Sequence, residues 1–264
     1  MLLMPRSLLL LEATWLLMVL SRLPDSFPDP LNLSHWLLKL LGVQVAVHHQ
    51  DRIPQAKSLV VVSNHRSFLD APLLIAGVNR PVRFACHHYM SQVPGMREFV
   101  TALGCLPLDQ PGTRQRSFFN QASRLLQQQQ AIGIFPEGAA PMVQATNPRQ
   151  ISRFQRGFAH LAMRSSAEDL TILPVAIASN AETSGRGVPL RLLSYFDPSE
   201  PLFNQSGWHP SVFYRQVNLL MGRPIRINQR LRSHYQGREA ARLAAEITQC
   251  CQDEITNLLR QEQA

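Results

Sequence analysis

The chain has 264 residues and a formal net charge of +8, with 45% hydrophobic and 17% charged residues. This length suits one compact domain with terminal extras, and the low charged fraction excludes a disordered chain. A pI of about 10.0 is compatible with three kinds of binding partner: nucleic acid, an anionic membrane face, or acidic small molecules such as coenzyme A. The sequence has no RNP-like aromatic pattern, zinc-finger spacing or lysine-rich arm that would favour nucleic acid.

The N-terminal region is apolar and is predicted to meet a membrane. Its first stretch is interrupted by Arg6 and Glu12, which leaves apolar runs too short for a span of about 20 residues. After the linker PDSFPDP, residues 31–43 place five apolar side chains on one helical face: Leu33, Trp36, Leu37, Leu40 and Leu41. Residues 1–42 are therefore predicted to form an apolar helical hairpin lying in one leaflet, before a catalytic domain at 43–264. The alternative is two core helices of that domain.

The rest of the chain alternates predicted strands and helices. Strands are predicted at 43–47, 58–63, 82–86, 131–135, 170–178, 190–196 and 217–221. Helices are predicted at 67–76, 95–103, 114–129, 154–164 and 239–259. This alternation indicates an α/β fold with a mixed, largely parallel central sheet flanked by helices, and the late strand-only stretches indicate antiparallel additions. The nearly all-apolar strand 58–63 is predicted to be central.

The sequence NHRSFLD, residues 64–70, lies between the predicted strand 58–63 and a helix. Ser67 is predicted as the N-cap, and Asp70 follows three residues later, as in a capping box. His65 would then lie at the carboxyl end of a central strand, where open α/β sheets bind ligands. A carboxylate on one imidazole nitrogen fixes the tautomer and leaves the other nitrogen as a base. The alternative is that Asp70 only caps its helix and His65 only fills the loop.

Motifs for a protein nucleophile or for nucleotide binding are missing from the sequence. It contains no GxSxG, no GxGxxG and no Walker A motif. The four cysteines form no CxxC, which fits a reducing compartment, and the paired histidines have no cysteine or carboxylate at ligand spacing, so no metal is predicted. A histidine base without a protein nucleophile indicates that the nucleophile is a hydroxyl of the substrate.

Four sequence blocks in order resemble one known family. NHRSFLD is similar to the NHxxxxD signature of the glycerolipid acyltransferases, the lysophosphatidate acyltransferase-like family. Three later blocks resemble that family's GxIxIDR, FPEGTR and VPVAI blocks: GCLPLD (104–109), FPEG (135–138) and ILPVAI (172–177). The segment RFQRGFAHLA (153–162) resembles the helix between the last two. The resemblance spans about residues 43–178, and four blocks in order are far more specific than any one of them.

The resemblance implies transfer of an acyl chain from acyl-CoA or acyl carrier protein to a hydroxyl of a lysolipid or glycerol-phosphate-type acceptor, with no cofactor beyond that co-substrate. It implies that His65 is the general base, that Asp70 orients it, and that the alkoxide attacks the thioester directly. Amides of the loop and helix are expected to stabilise the oxyanion. It also implies a membrane-associated protein whose active site faces the cytoplasm. The candidate acceptor-binding residues are Glu137, Gly138, Asn64, Arg114, Arg116 and Arg156.

The role of Glu137 has two interpretations: it binds acceptor hydroxyls, or it holds the backbone of its own loop, with Gly138 permitting a close approach. The acceptor region also departs from the family, because basic or polar family positions carry other residues here: His87, Gln110, Ala139 and Ala140.

A phosphomonoester without the family's basic clamp is poorly neutralised. Either the acceptor has a larger or neutral head group, or an arginine supplies the charge from a new direction: Arg114, Arg116, Arg149, Arg153 or Arg156. The competing functions are a non-catalytic lipid- or acyl-CoA-binding relative and a basic nucleic-acid-binding domain.

Overall fold

The computed structural model describes residues 29–109, 114–138, 143–144 and 146–262. Its helices are α1 Pro30–Leu40, α2 Asp70–Val78, α3 Met96–Ala102, α4 Arg114–Gln127, α5 Gly157–Arg164, α6 Leu190–Leu193, α7 Gln229–Ser233 and α8 Gly237–Gln261. Its strands are β1 Gln44–His48, β2 Ser58–Ser63, β3 Val82–Cys86, β4 Leu106–Pro107, β5 Ala131–Ile134, β6 Leu170–Pro189, β7 Trp208–Met221 and β8 Ile225–Ile227. The first helix of the predicted hairpin falls in residues 1–28 and lies outside the described residues.

One mixed sheet organises the described part of the chain. Its strands run in the order β1, β7, β6, β2, β5, β3, β4, and β8 pairs with β6. The pairs β1–β7, β6–β2, β2–β5, β5–β3 and β3–β4 are parallel, whereas β6 is antiparallel to both β7 and β8. This confirms the predicted mixed, largely parallel sheet. The strand β2 is central, and all six of its residues are buried.

Apolar layers cover both faces of the sheet, because successive side chains of a strand point to opposite faces. Val61 of β2 belongs to one buried cluster, which also takes side chains from α1, α2 and α3. Its neighbour Val60 belongs to a second cluster, which takes side chains from α4, α5 and α8. Helices therefore flank both faces, as predicted.

The predicted strand at 190–196 is wrong. Leu190–Leu193 forms a short helix, and the chain then turns. Leu190 and Leu193 are both buried, and their spacing of three residues puts them on one helical face. Both neighbouring strands are instead longer than predicted: β6 continues to Pro189 and β7 begins at Trp208, so that the two pair along a long antiparallel extension.

Helix α1, the second half of the predicted hairpin, packs on α2. Leu33 and Leu37 are fully buried in the cluster shared with α2 and α3, whereas Trp36 and Leu40 are 38% and 42% exposed. The predicted apolar face is therefore divided between the protein core and the surface. No helix among the described residues is both long and apolar enough to cross a membrane. The domain boundary after residue 42 and the membrane association remain predictions.

The packing of α1 predicts a difference between two leucines of the same helix. Leu37→Ala is expected to lower the free energy of unfolding by about 2–5 kcal/mol, because it leaves a cavity in the core. The matched variant Leu40→Ala removes a surface side chain and should change it by no more than about 0.5 kcal/mol. Denaturant unfolding followed by circular dichroism in mild detergent measures both. Equal, small effects would show that α1 does not belong to the folded core.

Candidate active site

The loop between β2 and α2 brings His65 and Asp70 together. Nδ1 of His65 lies 2.8 Å from Oδ2 of Asp70. Because a carboxylate only accepts hydrogen bonds, Nδ1 carries the proton and Nε2 holds the lone pair. Nε2 has no hydrogen-bond partner among the residues that the structure describes, and the His65 side chain is 27% exposed while that of Asp70 is fully buried. The predicted pair is therefore present, with one nitrogen able to accept a proton.

The Asp70 carboxylate is held by three further donors. Its Oδ2 accepts hydrogen bonds from the backbone N–H groups of Arg66 at 2.6 Å and Ser67 at 2.8 Å. Its Oδ1 accepts one from the hydroxyl of Tyr214 at 2.9 Å. A buried carboxylate is costly unless it is fully hydrogen-bonded. These bonds replace its hydration and fix its position beside the imidazole.

The predicted start of α2 at Ser67 is early by three residues. The helix begins at Asp70, and Leu69 occupies the capping position without a side-chain cap. The Ser67 hydroxyl instead accepts from the Leu69 amide at 3.2 Å and donates to the Val212 carbonyl at 2.7 Å. One part of the predicted capping box is present, because the Asp70 carboxylate does reach back to the Ser67 amide.

Tyr214 is a site residue that the sequence did not reveal. It lies on β7, 144 residues after Asp70, in a segment for which no strand was predicted. Burial, and after it the charge of Asp70, holds the pKa of the Tyr214 phenol well above its usual range. The hydroxyl therefore stays protonated and donates to Asp70. No local pattern in the sequence indicates this contact.

Phe135, the first residue of FPEG, supports the imidazole ring. The rings of His65 and Phe135 stack with centroids 4.1 Å apart, and Phe135 stacks in turn on Phe84 at 5.0 Å. Gly133 makes room for this stack, since a Cβ there would lie 2.1 Å from the Phe84 ring. The stack restricts rotation of the His65 ring about the bond that aims Nε2.

Glu137 ties two loops together. Its Oε1 accepts from the His65 amide at 3.0 Å, and its Oε2 accepts from the Ser152 amide at 2.6 Å. The residue is buried. This geometry matches the second interpretation of Glu137, in which it holds backbone. Gly138 has φ +73, a left-handed backbone conformation that glycine adopts without strain.

Asn64 holds β6 to the same loop. Its side-chain amide donates to the Ile177 carbonyl at 3.0 Å and accepts from the Ile177 amide at 2.9 Å. The residue is buried. With both ends of its amide bonded to backbone, Asn64 holds the loop to β6, and its role in acceptor binding stays a prediction.

The backbone amides nearest His65 do not fit the predicted oxyanion site. The amide of His65 donates to Glu137, and those of Arg66 and Ser67 donate to Asp70. An oxyanion needs N–H donors that are not already bonded elsewhere. Two carboxylates accept the hydrogen bonds of these three amides, so the three are not available to an oxyanion, and the expected contribution of the helix amides stays a prediction.

The arginine of NHRSFLD is held in an ion pair. The Arg66 guanidinium binds both carboxylate oxygens of Glu182, at 2.7 and 2.8 Å, and also bonds to Thr146. Only 6% of the Arg66 side chain is exposed. Its charge is thus balanced inside the protein by a residue of the β6–β7 extension.

His87, which stands where family members commonly have lysine, is also surrounded by carboxylates. Its Nε2 lies 2.8 Å from the Glu200 carboxylate, and its Nδ1 lies 3.6 Å from Asp197. All three residues are buried. The side chain is therefore directed into the protein, and any charge it gains is balanced there.

The predicted acceptor-side arginines Arg116 and Arg156 form no hydrogen bond with the His65–Asp70 pair. Arg116 on α4 and Arg156, just before α5, are exposed, and neither side chain hydrogen-bonds to His65 or Asp70. The backbone of Arg114 begins α4, but its side chain lies outside the described part of the chain. Three of the four substituted positions also lie outside it: Gln110, Ala139 and Ala140.

Comparison with known proteins identifies the family of this chain. A family model described as "Acyltransferase" matches residues 44–178, just over half of the chain, and the match includes His65, Asp70 and Glu137. The chain belongs to the acyltransferase family. The predicted family and enzyme class are confirmed, and a nucleic-acid-binding domain is not supported.

Two curated bacterial relatives carry the name 1-acyl-sn-glycerol-3-phosphate acyltransferase, one of them as probable. The probable enzyme of Mycoplasma pneumoniae is 25% identical over 195 residues, which cover 66% of this chain and 70% of the relative. That of Borreliella burgdorferi is 22% identical over 141 residues, which cover 53% of each chain. The crystal structure of the lysophosphatidate acyltransferase PlsC from Thermotoga maritima superimposes with a TM-score of 0.52 at 16% identity, covering 97% of this acyltransferase and 90% of PlsC. That likeness supports the fold.

The Tyr214 contact predicts a change in the pH dependence of acyl transfer. In Tyr214→Phe the Asp70 carboxylate loses a donor, so its charge holds a proton on His65 more strongly. The acid limb of the kcat/KM profile should move to higher pH by up to about one unit, since 1.36 kcal/mol corresponds to one unit. Initial rates measured across pH test this.

Tyr89→Phe is the matched control for Tyr214→Phe. Tyr89 is also buried, but its hydroxyl faces His209 at 3.5 Å. This variant should leave the acid limb in place. A Tyr214→Phe enzyme that loses stability but keeps the wild-type profile would reduce Tyr214 to a packing residue.

Proposed function

We propose that this acyltransferase moves a fatty acyl chain from an acyl thioester, acyl-CoA or acyl carrier protein, to a hydroxyl of a lysolipid, with His65 as general base and Asp70 as its orienting partner. The observation that carries the proposal is the His65–Asp70 contact of 2.8 Å in a partly exposed loop at the carboxyl end of β2. The names of the two curated relatives support a 1-acylglycerol-type acceptor.

The proposed reaction follows from the position of the protons. Nε2 of His65 takes the proton of the acceptor hydroxyl as its oxygen attacks the thioester carbonyl, and the Asp70 carboxylate stabilises the imidazolium that forms. The tetrahedral intermediate then collapses, the C–S bond breaks, and the imidazolium returns its proton to the leaving thiolate. The new ester and a free thiol are the products, and no acyl-enzyme is formed.

The supporting contacts prepare this proton transfer before substrate binds. Tyr214 and two loop amides hold Asp70, and the Phe135 ring holds the plane of the imidazole. A base that is already oriented needs little reorganisation in the transition state. We further propose that the enzyme works at a membrane from its cytoplasmic side, where its four free cysteines would stay reduced.

A second candidate acceptor, a lysolipid without a phosphomonoester, is favoured by the charges around the site. Arg66 is paired with Glu182, and His87 lies between Asp197 and Glu200. A phosphomonoester needs cations that are available to it. In the described part of the chain these two nearby basic side chains are already balanced by carboxylates, which supports an acceptor with a neutral or larger head group.

The first experiment on the proposal removes the base. His65→Ala should lower kcat by about 10²–10⁴-fold, the usual share of a general base, with the fold intact. His35→Ala, on the exposed side of α1, is the matched control and should keep wild-type turnover. Release of free thiol from acyl-CoA, followed with a thiol reagent, measures both. Wild-type turnover in His65→Ala would remove His65 from the mechanism.

The second experiment compares acceptors of equal acyl length. Lysophosphatidate and 1-acylglycerol are offered separately, and the acylated products are identified by mass spectrometry. If the second candidate holds, kcat/KM for lysophosphatidate does not exceed that for 1-acylglycerol. One charge-assisted clamp worth about 1.5–3 kcal/mol would instead favour lysophosphatidate roughly 10- to 100-fold. Such a preference would exclude an acceptor without a phosphate group and favour lysophosphatidate.

A further inference from the structure

The far end of the β6–β7 extension exposes a group of large apolar side chains. We call residues 186–208 the β6–β7 tip. Its exposed apolar side chains are Val188, Leu192, Tyr195, Phe196 and Trp208. Single exposed apolar residues are normal on a protein surface, but a group of this kind marks an interaction site. Tyr195, at 84% exposed, has almost no protein around it.

Backbone pairing brings these side chains together. Pro189 at the end of β6 pairs with Trp208 at the start of β7, and the Leu190 amide donates to the Gly207 carbonyl at 3.1 Å. The turn that follows α6 is closed by a bond from the Tyr195 amide to the Leu192 carbonyl at 3.3 Å. The five side chains thus share one end of a single antiparallel unit.

A separate buried cluster supports the tip from inside. Leu190, Leu193 and Phe203 pack with Tyr89, and His87 bonds to Glu200 beside them. The tip therefore already has its own apolar interior. The exposed side chains are a second set, which the fold leaves in contact with solvent.

The exposed charged side chains of the tip are all positive. In residues 183–212, all of which the structure describes, the acidic side chains are Asp197 and Glu200, and both are buried. The exposed charged side chains of this segment are Arg186 and Arg191. Tryptophan and tyrosine flanked by arginine are the side chains enriched where proteins meet the headgroups of a bilayer. Arginines there are attracted to anionic lipids.

The tip also lies beside the active site. Trp208 is followed by His209, whose Nε2 is 3.5 Å from the Tyr89 hydroxyl. Further along the same strand, the Val212 carbonyl accepts a hydrogen bond from the Ser67 hydroxyl, and the Tyr214 hydroxyl donates one to Asp70. A surface that contacts the tip would therefore lie close to the base.

We infer that the β6–β7 tip is a membrane-contact surface, which inserts its apolar side chains into the headgroup layer of an anionic bilayer. This contact is distinct from the predicted N-terminal hairpin and does not depend on the identity of the acyl acceptor. Aromatic side chains supply the apolar area, and the two arginines supply the attraction to anionic lipid.

Tryptophan fluorescence tests the inference at the tip itself. The chain has three tryptophans, so the full-length variant Trp15→Phe/Trp36→Phe keeps Trp208 alone. It is mixed with vesicles of phosphatidylcholine and phosphatidylglycerol whose acyl chains carry bromine, a short-range quencher. We expect a blue shift and quenching of Trp208 emission. The matched variant Trp15→Phe/Trp208→Phe keeps Trp36 and reports α1 in the same way.

Two outcomes would overturn the inference. One is that Trp208 emission stays unshifted and unquenched on vesicles that sediment with the protein. The other is that Arg186→Gln/Arg191→Gln, made in the Trp208-only protein, binds these vesicles as well as its parent. We expect this double variant to partition roughly 30-fold less, because each arginine near an anionic surface contributes about fivefold. Binding to phosphatidylcholine alone should be unaffected.

Discussion

The buried carboxylate of Asp70 organises the loop between β2 and α2. A carboxylate removed from water is destabilising unless donors replace its hydration. Here four donors do so: Nδ1 of His65, the amides of Arg66 and Ser67, and the Tyr214 hydroxyl. Three of them come from the loop that follows β2, and the fourth comes from β7. The hydrogen bonds to the Asp70 carboxylate therefore fix the conformation of the loop and hold the loop against β7.

Glu137 is a second buried carboxylate that accepts a backbone hydrogen bond from this loop. It bonds to the His65 amide and to Ser152, while Phe135 stacks on the imidazole. The FPEG segment thus supports His65, and binding of an acceptor would be an additional role. The arrangement uses the loop's own amides as donors to carboxylates, so an oxyanion must be stabilised by other groups.

The parts of the site that the sequence predicted are local. His65 and Asp70 are five residues apart and follow an apolar run that predicts a central strand. Their spacing and the strand position together predicted that the two side chains meet in the loop after that strand. Tyr214 was missed because its contact depends on the pairing of β6 with β7. The hydrophobic pattern within one segment does not show which distant strand it pairs with.

The wrong strand prediction at Leu190–Leu193 also arose from a lack of tertiary information. A short apolar run is compatible with a strand or a helix, and only the packing around Phe203 favours the helix.

The positive charge of the chain is not concentrated around His65. Arg66 and His87 are each balanced by buried or partly buried carboxylates. Other arginines are exposed to solvent, among them Arg186 and Arg191 of the tip.

A net charge of +8 that is spread over the protein surface attracts an anionic surface more strongly than it attracts a single phosphate in the site. If the protein binds the bilayer as proposed, the membrane supplies the local concentration and orientation of a lipid acceptor, and the pocket itself needs to contribute less binding energy. Loss of the family's basic positions is then compatible with acyl transfer, provided that the protein stays on the membrane.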